Sequence, residues 1–121
     1  MKIEARHIAE NETGVFASHS ISSGEIIGTC EGEIADRISR HSLTLDGVTI
    51  EPAEPFRYLN HSCLPNVFFA HRQLMAAQDI QAGEEITIDY LATEKEISSG
   101  FLCRCGSINC RGWMGRRMSD L

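Results

Sequence analysis

Long apolar runs are missing from this chain. A helix that crosses a membrane needs about 20 consecutive apolar residues, and the apolar stretches here, such as residues 67–70, are far shorter. The first residues also lack the apolar segment of a signal peptide. We therefore expect no membrane association and a reducing compartment, either the cytoplasm or, in a eukaryotic host, the nucleus and chromatin.

Basic residues are outnumbered. The chain has 11 Lys and Arg against 17 Asp and Glu, which gives a formal net charge of -6. Binding to phosphates needs an excess of Lys and Arg, so direct contact with nucleic acid is not expected. An acidic surface suits a basic protein or peptide as partner, although net charge by itself is also typical of simple solubility.

Apolar residues at helical spacing, low-complexity runs and domain linkers are also absent. Apolar residues instead alternate or form short runs bounded by turn residues, which is typical of strands. With 121 residues the chain has room for one domain, and a homodimer would cover apolar surface that so small a domain exposes. The sequence predicts a mainly β domain with strands over residues 15–17, 25–30, 43–45, 48–50, 67–70, 74–77 and 85–90.

Turn residues refine this picture. Asp46-Gly47 tolerates the positive φ angles of a type I′ turn, so residues 43–50 are predicted to form a hairpin. A proline suits the first position of a helix, and a short helix is therefore predicted over residues 55–59. A further helical turn is expected over residues 92–97.

Three of the five cysteines crowd near the C-terminus. Cys103, Cys105 and Cys110 form the pattern C-x-C-x4-C. A structural zinc takes four ligands in a tetrahedron, so three closely spaced thiols in a reducing compartment predict a zinc site that needs a fourth ligand. Cys63 and Cys30 both remain open for that place, because spacing and composition do not choose between them.

Three segments carry recognisable motifs. Residues 57–66, Arg-Tyr-Leu-Asn-His-Ser-Cys-Leu-Pro-Asn, resemble the Asn-His-Ser-Cys-x-Pro-Asn signature of the SET family. Residues 83–90, Gly-Glu-Glu-Ile-Thr-Ile-Asp-Tyr, resemble the second SET signature, and residues 101–112 look like the cysteine-rich post-SET segment. Because the motifs follow in the right order between Gly14 and Met114, the chain is similar to a minimal SET domain with a post-SET tail.

The resemblance implies a SET-domain fold, a β-clip-like set of small curved sheets with a C-terminal pseudoknot that sets the two signatures side by side. It divides one structural unit into a SET domain over residues 1–97 and a post-SET segment over residues 98–116. It also implies that Cys63 completes the zinc site of the three post-SET cysteines and that Cys30 is a core thiol. The metal would then hold the tail beside the active site.

The resemblance further implies a protein-lysine N-methyltransferase that uses S-adenosylmethionine. Tyr90 is the implied catalytic residue, with a hydroxyl that orients the incoming amine. The residues implied for binding the cofactor are Thr13, Gly14, Val15, Asn60, His61, Tyr90, Phe101, Leu102 and Trp113. The residues implied for the substrate channel are Ile88, Tyr90 and Phe101.

Several of these positions also have a simpler interpretation. Without the surrounding motifs, His61 is more typical of a core histidine and Tyr90 of a half-buried strand end. Trp113 and Ile88 are equally typical of ordinary core packing. Ile88 stands where many relatives have Phe or Tyr, and the smaller side chain predicts room for more than one methyl group on the substrate. His41 occupies the region in which many relatives carry a second channel tyrosine.

The sequence therefore predicts an enzyme that methylates a lysine of a basic protein or peptide. A histone tail is one such substrate, and a ribosomal or other basic protein is another. The first alternative is a catalytically weak SET-like binding module that keeps the fold and the zinc. The second is a small zinc-stabilised interaction domain with no cofactor pocket.

Overall fold

The structure, a computed structural model, describes residues 2–10, 12–39, 41–93, 101–103, 105–108 and 110–114. Within these residues the strands are β1 (Ile3–Ala9), β2 (Glu12–Ala17), β3 (Ile26–Thr29), β4 (Gly32–Ile34), β5 (Leu43–Leu45), β6 (Val48–Pro52), β7 (Asn60–His61), β8 (Val67–Ala70), β9 (Gln73–Ala76), β10 (Glu85–Ile88), β11 (Phe101–Leu102) and β12 (Trp113–Met114). A 3-10 helix covers Phe56–Tyr58, and the helix α1 covers Tyr90–Thr93. Of the helical turn predicted over residues 92–97, residues 94–97 lie outside the described part of the chain.

The largest sheet has the strand order β1-β2-β10-β7. β2 pairs antiparallel with both β1 and β10, whereas β10 runs parallel to β7, with Thr87 opposite Asn60 and Ile88 opposite His61. Parallel neighbours need a long crossover connection. That crossover brings the two SET-like signatures side by side, as the resemblance implied.

Two three-stranded sheets and one ribbon complete the fold. Their orders are β3-β9-β8, β4-β6-β5 and β11-β12. The predicted hairpin is present as β5 and β6, and its turn residues Asp46 and Gly47 have φ angles of 52° and 77°. Two consecutive positive φ angles are the signature of the type I′ turn that the Asp-Gly pair predicted.

In the largest sheet, strand β10 is shorter than predicted. The sequence pattern extended it through Tyr90, but β10 ends at Ile88 and Tyr90 begins α1. Asp89 explains the difference, because its side-chain Oδ1 accepts a hydrogen bond from the backbone N–H of Leu91 at 3.0 Å. A side chain that satisfies a first-turn amide favours a helix start over a continued strand.

The main core joins the inner faces of the sheets. Its members include Val15, Ile50, Ile86 and Ile88, all at most 1% exposed, together with Cys30, which is fully buried. The mainly β class predicted from apolar alternation is thus confirmed, and Cys30 lies in the core. Among the described residues, none of the helices has the length and apolar character needed to cross a membrane.

Candidate cofactor and metal site

Four cysteines meet at one point of the fold. The Sγ atoms of Cys63, Cys103, Cys105 and Cys110 all lie within 4.8 Å of one another, and Cys63 and Cys103 are 3.8 Å apart. A tetrahedral zinc with bonds of about 2.3 Å sets its sulfur ligands about 3.8 Å apart. The four thiols therefore fit a structural zinc, and Cys63 rather than Cys30 belongs to the group.

The surroundings of these thiols shift their pKa values in opposite directions. Hydrogen bonds with the hydroxyl and backbone of Ser107 lower the pKa of Cys105 to about 5, because they stabilise the thiolate. Burial raises the pKa of Cys103 to about 12. A bound zinc ion carries enough charge to deprotonate its thiols outright, so burial of Cys103 is compatible with a ligand role.

A short ribbon closes the cysteine loop. β11 and β12 pair antiparallel, with Phe101 opposite Met114 and Leu102 opposite Trp113. Met114 is 2% exposed and belongs to a second small core with Cys63 and Cys103, against which the ring of Tyr90 packs. The C-terminal segment is thus held against the signature segments by apolar contact as well as by its cysteines.

Tyr90 is fixed at both its backbone and its hydroxyl. The phenol oxygen donates a hydrogen bond to the carbonyl oxygen of Leu59 at 2.8 Å, and the backbone N–H donates to Nδ1 of His61 at 3.1 Å. The ring centroid lies 5.2 Å from that of His61 and 5.9 Å from that of Phe101. Three aromatic rings from three chain segments therefore surround one point, with the hydroxyl of Tyr90 held in a fixed direction.

His61 connects this aromatic group to the cysteine cluster. Its side chain is 1% exposed, and burial lowers its pKa, which favours the neutral ring. Because Nδ1 accepts the hydrogen bond from Tyr90, the proton of the neutral ring lies on Nε2. Nε2 is 3.3 Å from Sγ of Cys63, so one imidazole hydrogen-bonds both a cluster sulfur and the backbone of Tyr90.

Asn60 is oriented by its amide nitrogen. Nδ2 donates to the carbonyl oxygen of Thr13 at 3.3 Å and to Oε2 of Glu85 at 2.8 Å. Both partners are acceptors, which fixes the orientation of the amide. Oδ1 of Asn60 is left to accept a hydrogen bond from a ligand, because no described residue donates to it.

Gly14 makes this arrangement possible. A Cβ atom there would lie 2.7 Å from Cδ1 of Ile8, 2.8 Å from Oε2 of Glu85 and 3.2 Å from Nδ2 of Asn60. The structure places Gly14 inside β2, at a position where the side chain of Asn60 approaches the backbone. Glu85 was assigned no role from the sequence, and nothing in its motif signals that it orients Asn60.

Three predicted cofactor residues lie less directly in the site. Val15 is fully buried in the core and is paired with Ala5 of β1 and Ile86 of β10, so it has no exposed surface in this structure. Leu102 lies in β11 of the ribbon and is 56% exposed. Nε1 of Trp113 is buried and has no hydrogen-bond partner among the described residues.

A cleft opens beside the end of β10. It has a volume of about 320 Å³, and its lining includes the apolar side chains of Phe69 and Ile88 and the carboxylates of Asp46 and Asp89. His71 also lines the cleft, and its Nδ1 lies 2.8 Å from Oδ2 of Asp46. Ile88 is at once a core residue and part of this wall, whereas Tyr90 and Phe101, the other two residues predicted for the channel, are not among the residues that line the cleft.

Two further residues were missed by sequence reasoning. Arg111 places NH1 and NH2 3.1 Å and 3.0 Å from the two carboxylate oxygens of Asp89. The pair joins the cysteine-rich segment to the residue before Tyr90. Both residues stand inside recognised motifs, but only the fold reveals that they meet.

His41, which occupies the region of the second channel tyrosine of many relatives, contacts Tyr58 edge-on, with ring centroids 6.1 Å apart.

Comparison with known proteins agrees with the motifs. The chain is 36% identical over 72 residues to the Arabidopsis thaliana protein named histone-lysine N-methyltransferase ASHR3, an alignment that covers 53% of this chain and 14% of the relative. It is 38% identical over 68 residues to human histone-lysine N-methyltransferase 2D, covering 50% of this chain and 1% of the relative. The chain thus spans only a small part of these relatives.

Solved structures share the fold. A crystal structure of KRYPTONITE in complex with mCHG DNA and SAH matches with a TM-score of 0.72 at 24% identity, covering 92% of this chain and 28% of that one. The methyltransferase domain of human SETMAR matches with a TM-score of 0.73 at 19% identity, covering 93% of this chain and 57% of that one. The family model of the SET domain matches residues 12–91. With both signatures paired in one sheet and most of its length matched, the chain belongs to the SET-domain family.

Proposed function

We propose that this chain is a protein-lysine N-methyltransferase that transfers a methyl group from S-adenosylmethionine to a lysine of a basic protein or peptide. The observation that carries the proposal is the parallel pairing of β7 with β10, which sets Asn60 and His61 beside the segment that leads to Tyr90. Relatives named as histone-lysine N-methyltransferases support the same activity.

The cofactor end of the site fits S-adenosylmethionine. The chemistry supplied by the bound cofactor is an electrophilic methyl group on a sulfonium, and its methionine part carries an ammonium. Oδ1 of Asn60 is an acceptor suited to that ammonium, and the carboxylate of Glu85 holds the amide in place at 2.8 Å. Solved SET structures of the same fold contain SAH, the product left after methyl transfer.

Tyr90 and its surroundings orient the incoming amine. The hydroxyl hydrogen is committed to the carbonyl oxygen of Leu59, so the lone pairs of the phenol oxygen face away from that bond. Such an oxygen accepts a hydrogen bond from a neutral amine and aligns it for in-line attack. Positioning of this kind lowers the barrier without any covalent step by the protein.

The cleft beside Ile88 suits the substrate lysine. Its lining combines apolar side chains, which favour the uncharged amine that attacks, with the carboxylates of Asp46 and Asp89, which favour a cationic peptide. The formal charge of -6 points to the same class of partner and away from direct contact with nucleic acid. Relatives named for histones make the nucleus and chromatin the proposed location in a eukaryotic host.

Zinc on the four cysteines would have a structural part in this scheme. Cys63, Cys103, Cys105 and Cys110 would close a tetrahedral site, which leaves no coordination position for substrate. The metal would then fix the C-terminal ribbon, including Phe101, against Tyr90.

The decisive experiment measures transfer of tritium from labelled S-adenosylmethionine to a panel of basic proteins and peptides. We expect label on lysine and a loss of about 100-fold in Tyr90→Phe, within the range that positioned catalytic groups contribute. Tyr58→Phe is the matched control, because its hydroxyl contacts only the exposed side chain of Glu54 among the described residues. Cofactor binding without transfer by the wild type would instead identify a SET-like binding module.

A further inference from the structure

We propose that Arg111 is a positioning residue that couples metal binding at the cysteine cluster to the segment carrying Tyr90. The inference rests on the zinc site and on the proposed function. It adds a residue to which neither the motifs nor the comparisons assign a role.

The backbone of Arg111 contacts the cluster itself. Its N–H donates a hydrogen bond to Sγ of Cys63 at 3.2 Å. Hydrogen bonds to a metal-bound thiolate orient it and tune its affinity for the metal. The position of Arg111 is therefore linked directly to the position of one ligand sulfur.

The side chain of Arg111 contacts the second signature. Its guanidinium forms two hydrogen bonds with the carboxylate of Asp89, at 3.1 Å and 3.0 Å. Bidentate pairs of this kind are stronger and more specific in geometry than single contacts. Oδ1 of the same carboxylate accepts the backbone N–H of Leu91 at 3.0 Å and so holds the first turn of α1, where Tyr90 is the first residue.

A second connection runs in parallel. Nε2 of His61 is 3.3 Å from Sγ of Cys63, and Nδ1 accepts the backbone N–H of Tyr90. Both connections begin at Cys63 and end at the start of α1. Loss of the metal, or of the Arg111 contacts, therefore disturbs Tyr90 even though neither touches its hydroxyl.

The test measures how fast this chain, loaded with zinc, loses the metal to an excess of chelator. Arg111→Gln and Asp89→Asn are each expected to release zinc about 10-fold faster than the wild type, as is typical when contacts to metal ligands are removed. The double variant is expected to release it no faster than either single variant, because both break the same pair. Arg37→Gln is the matched control, since Arg37 is 87% exposed and its closest approach to Asp36 is 3.8 Å.

A second readout follows the ribbon itself. Trp113, the single tryptophan, lies two positions beyond Arg111, and its fluorescence should change with the same rate as zinc release. Where methyl transfer is measurable, kcat should fall in Arg111→Gln while KM for the peptide stays the same. Arg111→Lys, which keeps the charge but loses the bidentate geometry, should fall between the wild type and Arg111→Gln.

Three results would overturn the proposal: release from Arg111→Gln at the rate of Arg37→Gln, multiplied effects in the double variant, or wild-type behaviour of Arg111→Lys. If Arg111→Gln is purified without zinc, the Lys variant and Asp89→Asn decide the question. A wild-type protein that transfers no methyl group would contradict the proposed function, whereas the release rates would still decide the role of Arg111.

Discussion

The backbone N–H of Tyr90 donates a hydrogen bond to Nδ1 of His61 at 3.1 Å, although 29 residues separate the two along the chain. The other ring nitrogen of His61 faces a sulfur of the cysteine cluster. A residue proposed for catalysis and a residue proposed for metal binding are thus two hydrogen bonds apart. Changes at the cysteine cluster should therefore alter the position of the first residue of α1.

We expect one zinc per chain, held by four thiolates. Cys103→Ser and Cys63→Ser should each abolish stoichiometric zinc and lower the thermal midpoint, because structural zinc contributes directly to folding free energy. Cys30→Ala should keep the metal, since Cys30 lies outside the cluster. Elemental analysis and thermal unfolding measure both effects. Full zinc in Cys63→Ser together with none in Cys30→Ala would show that the other cysteine is the fourth ligand.

Gly14→Ala should weaken binding of S-adenosylmethionine. The added Cβ would lie 2.8 Å from Oε2 of Glu85 and 3.2 Å from Nδ2 of Asn60, so the amide that we propose for the cofactor must move. We expect an increase of about 10-fold or more in Kd by calorimetry, since small displacements of positioned groups are costly. Gly28→Ala is the control, because its Cβ would meet only Phe56, at an ordinary 3.4 Å. Equal affinities for the two variants would contradict the assignment.

Cys30 should resist alkylation in the folded protein. Burial raises its thiol pKa from 9.0 to about 11, which makes the reactive thiolate about 100-fold scarcer near pH 8 before steric protection is counted. After zinc removal, mass spectrometry should find Cys105, whose pKa is lowered to about 5, modified first by iodoacetamide, and Cys30 intact until denaturant is added. Early modification of Cys30 would show that it is not in the core.

The raised pKa of Cys30 also makes the stability of the folded protein depend on pH. Because the folded-state pKa of Cys30 lies above the unfolded one, the folded state holds the proton more tightly. The contribution is fully present below about pH 9 and is lost as the pH rises through about 11. Unfolding midpoints in denaturant should fall over that range in the wild type and fall less in Cys30→Ala. Parallel curves for the two proteins would argue against the shift.

Ile88 should set the number of methyl groups that a lysine can accept. Its aliphatic side chain lines the cleft and carries no hydroxyl that would hold a water molecule beside the amine. We expect di- or trimethyl-lysine under exhaustive conditions with the wild type, and a shift towards monomethyl-lysine in Ile88→Tyr, where a larger polar ring fills the space. Mass spectrometry of the product distinguishes these states. Only monomethyl-lysine from the wild type would contradict the prediction.

Much of the fold could be predicted because its signals are local. Alternation and turn residues identified the hairpin at Asp46-Gly47 and most strands of the sheets. β1 was not predicted, because only Ile3 among its residues is buried, and a strand that is mostly exposed shows no alternation of apolar and polar residues. β7 was not predicted, because its two residues are too few to show an alternating pattern. The roles of the cofactor and channel residues stay predictions, although the fold brings Asn60, His61 and Tyr90 into one region.

The amino-acid sequence by itself determined the family, the mainly β class and the presence of a thiol cluster, because motif order, alternation and cysteine spacing are properties of a linear chain. The resemblance already implied Cys63 as the fourth cysteine, and the structure places it in the cluster. Only the tertiary structure decided that Glu85 orients Asn60 and that Arg111 meets Asp89. Those pairs are brought together by a parallel crossover and a C-terminal ribbon. Contacts that depend on long-range chain closure have no signature in any short stretch of sequence, since the residues involved are neighbours only after the backbone has folded.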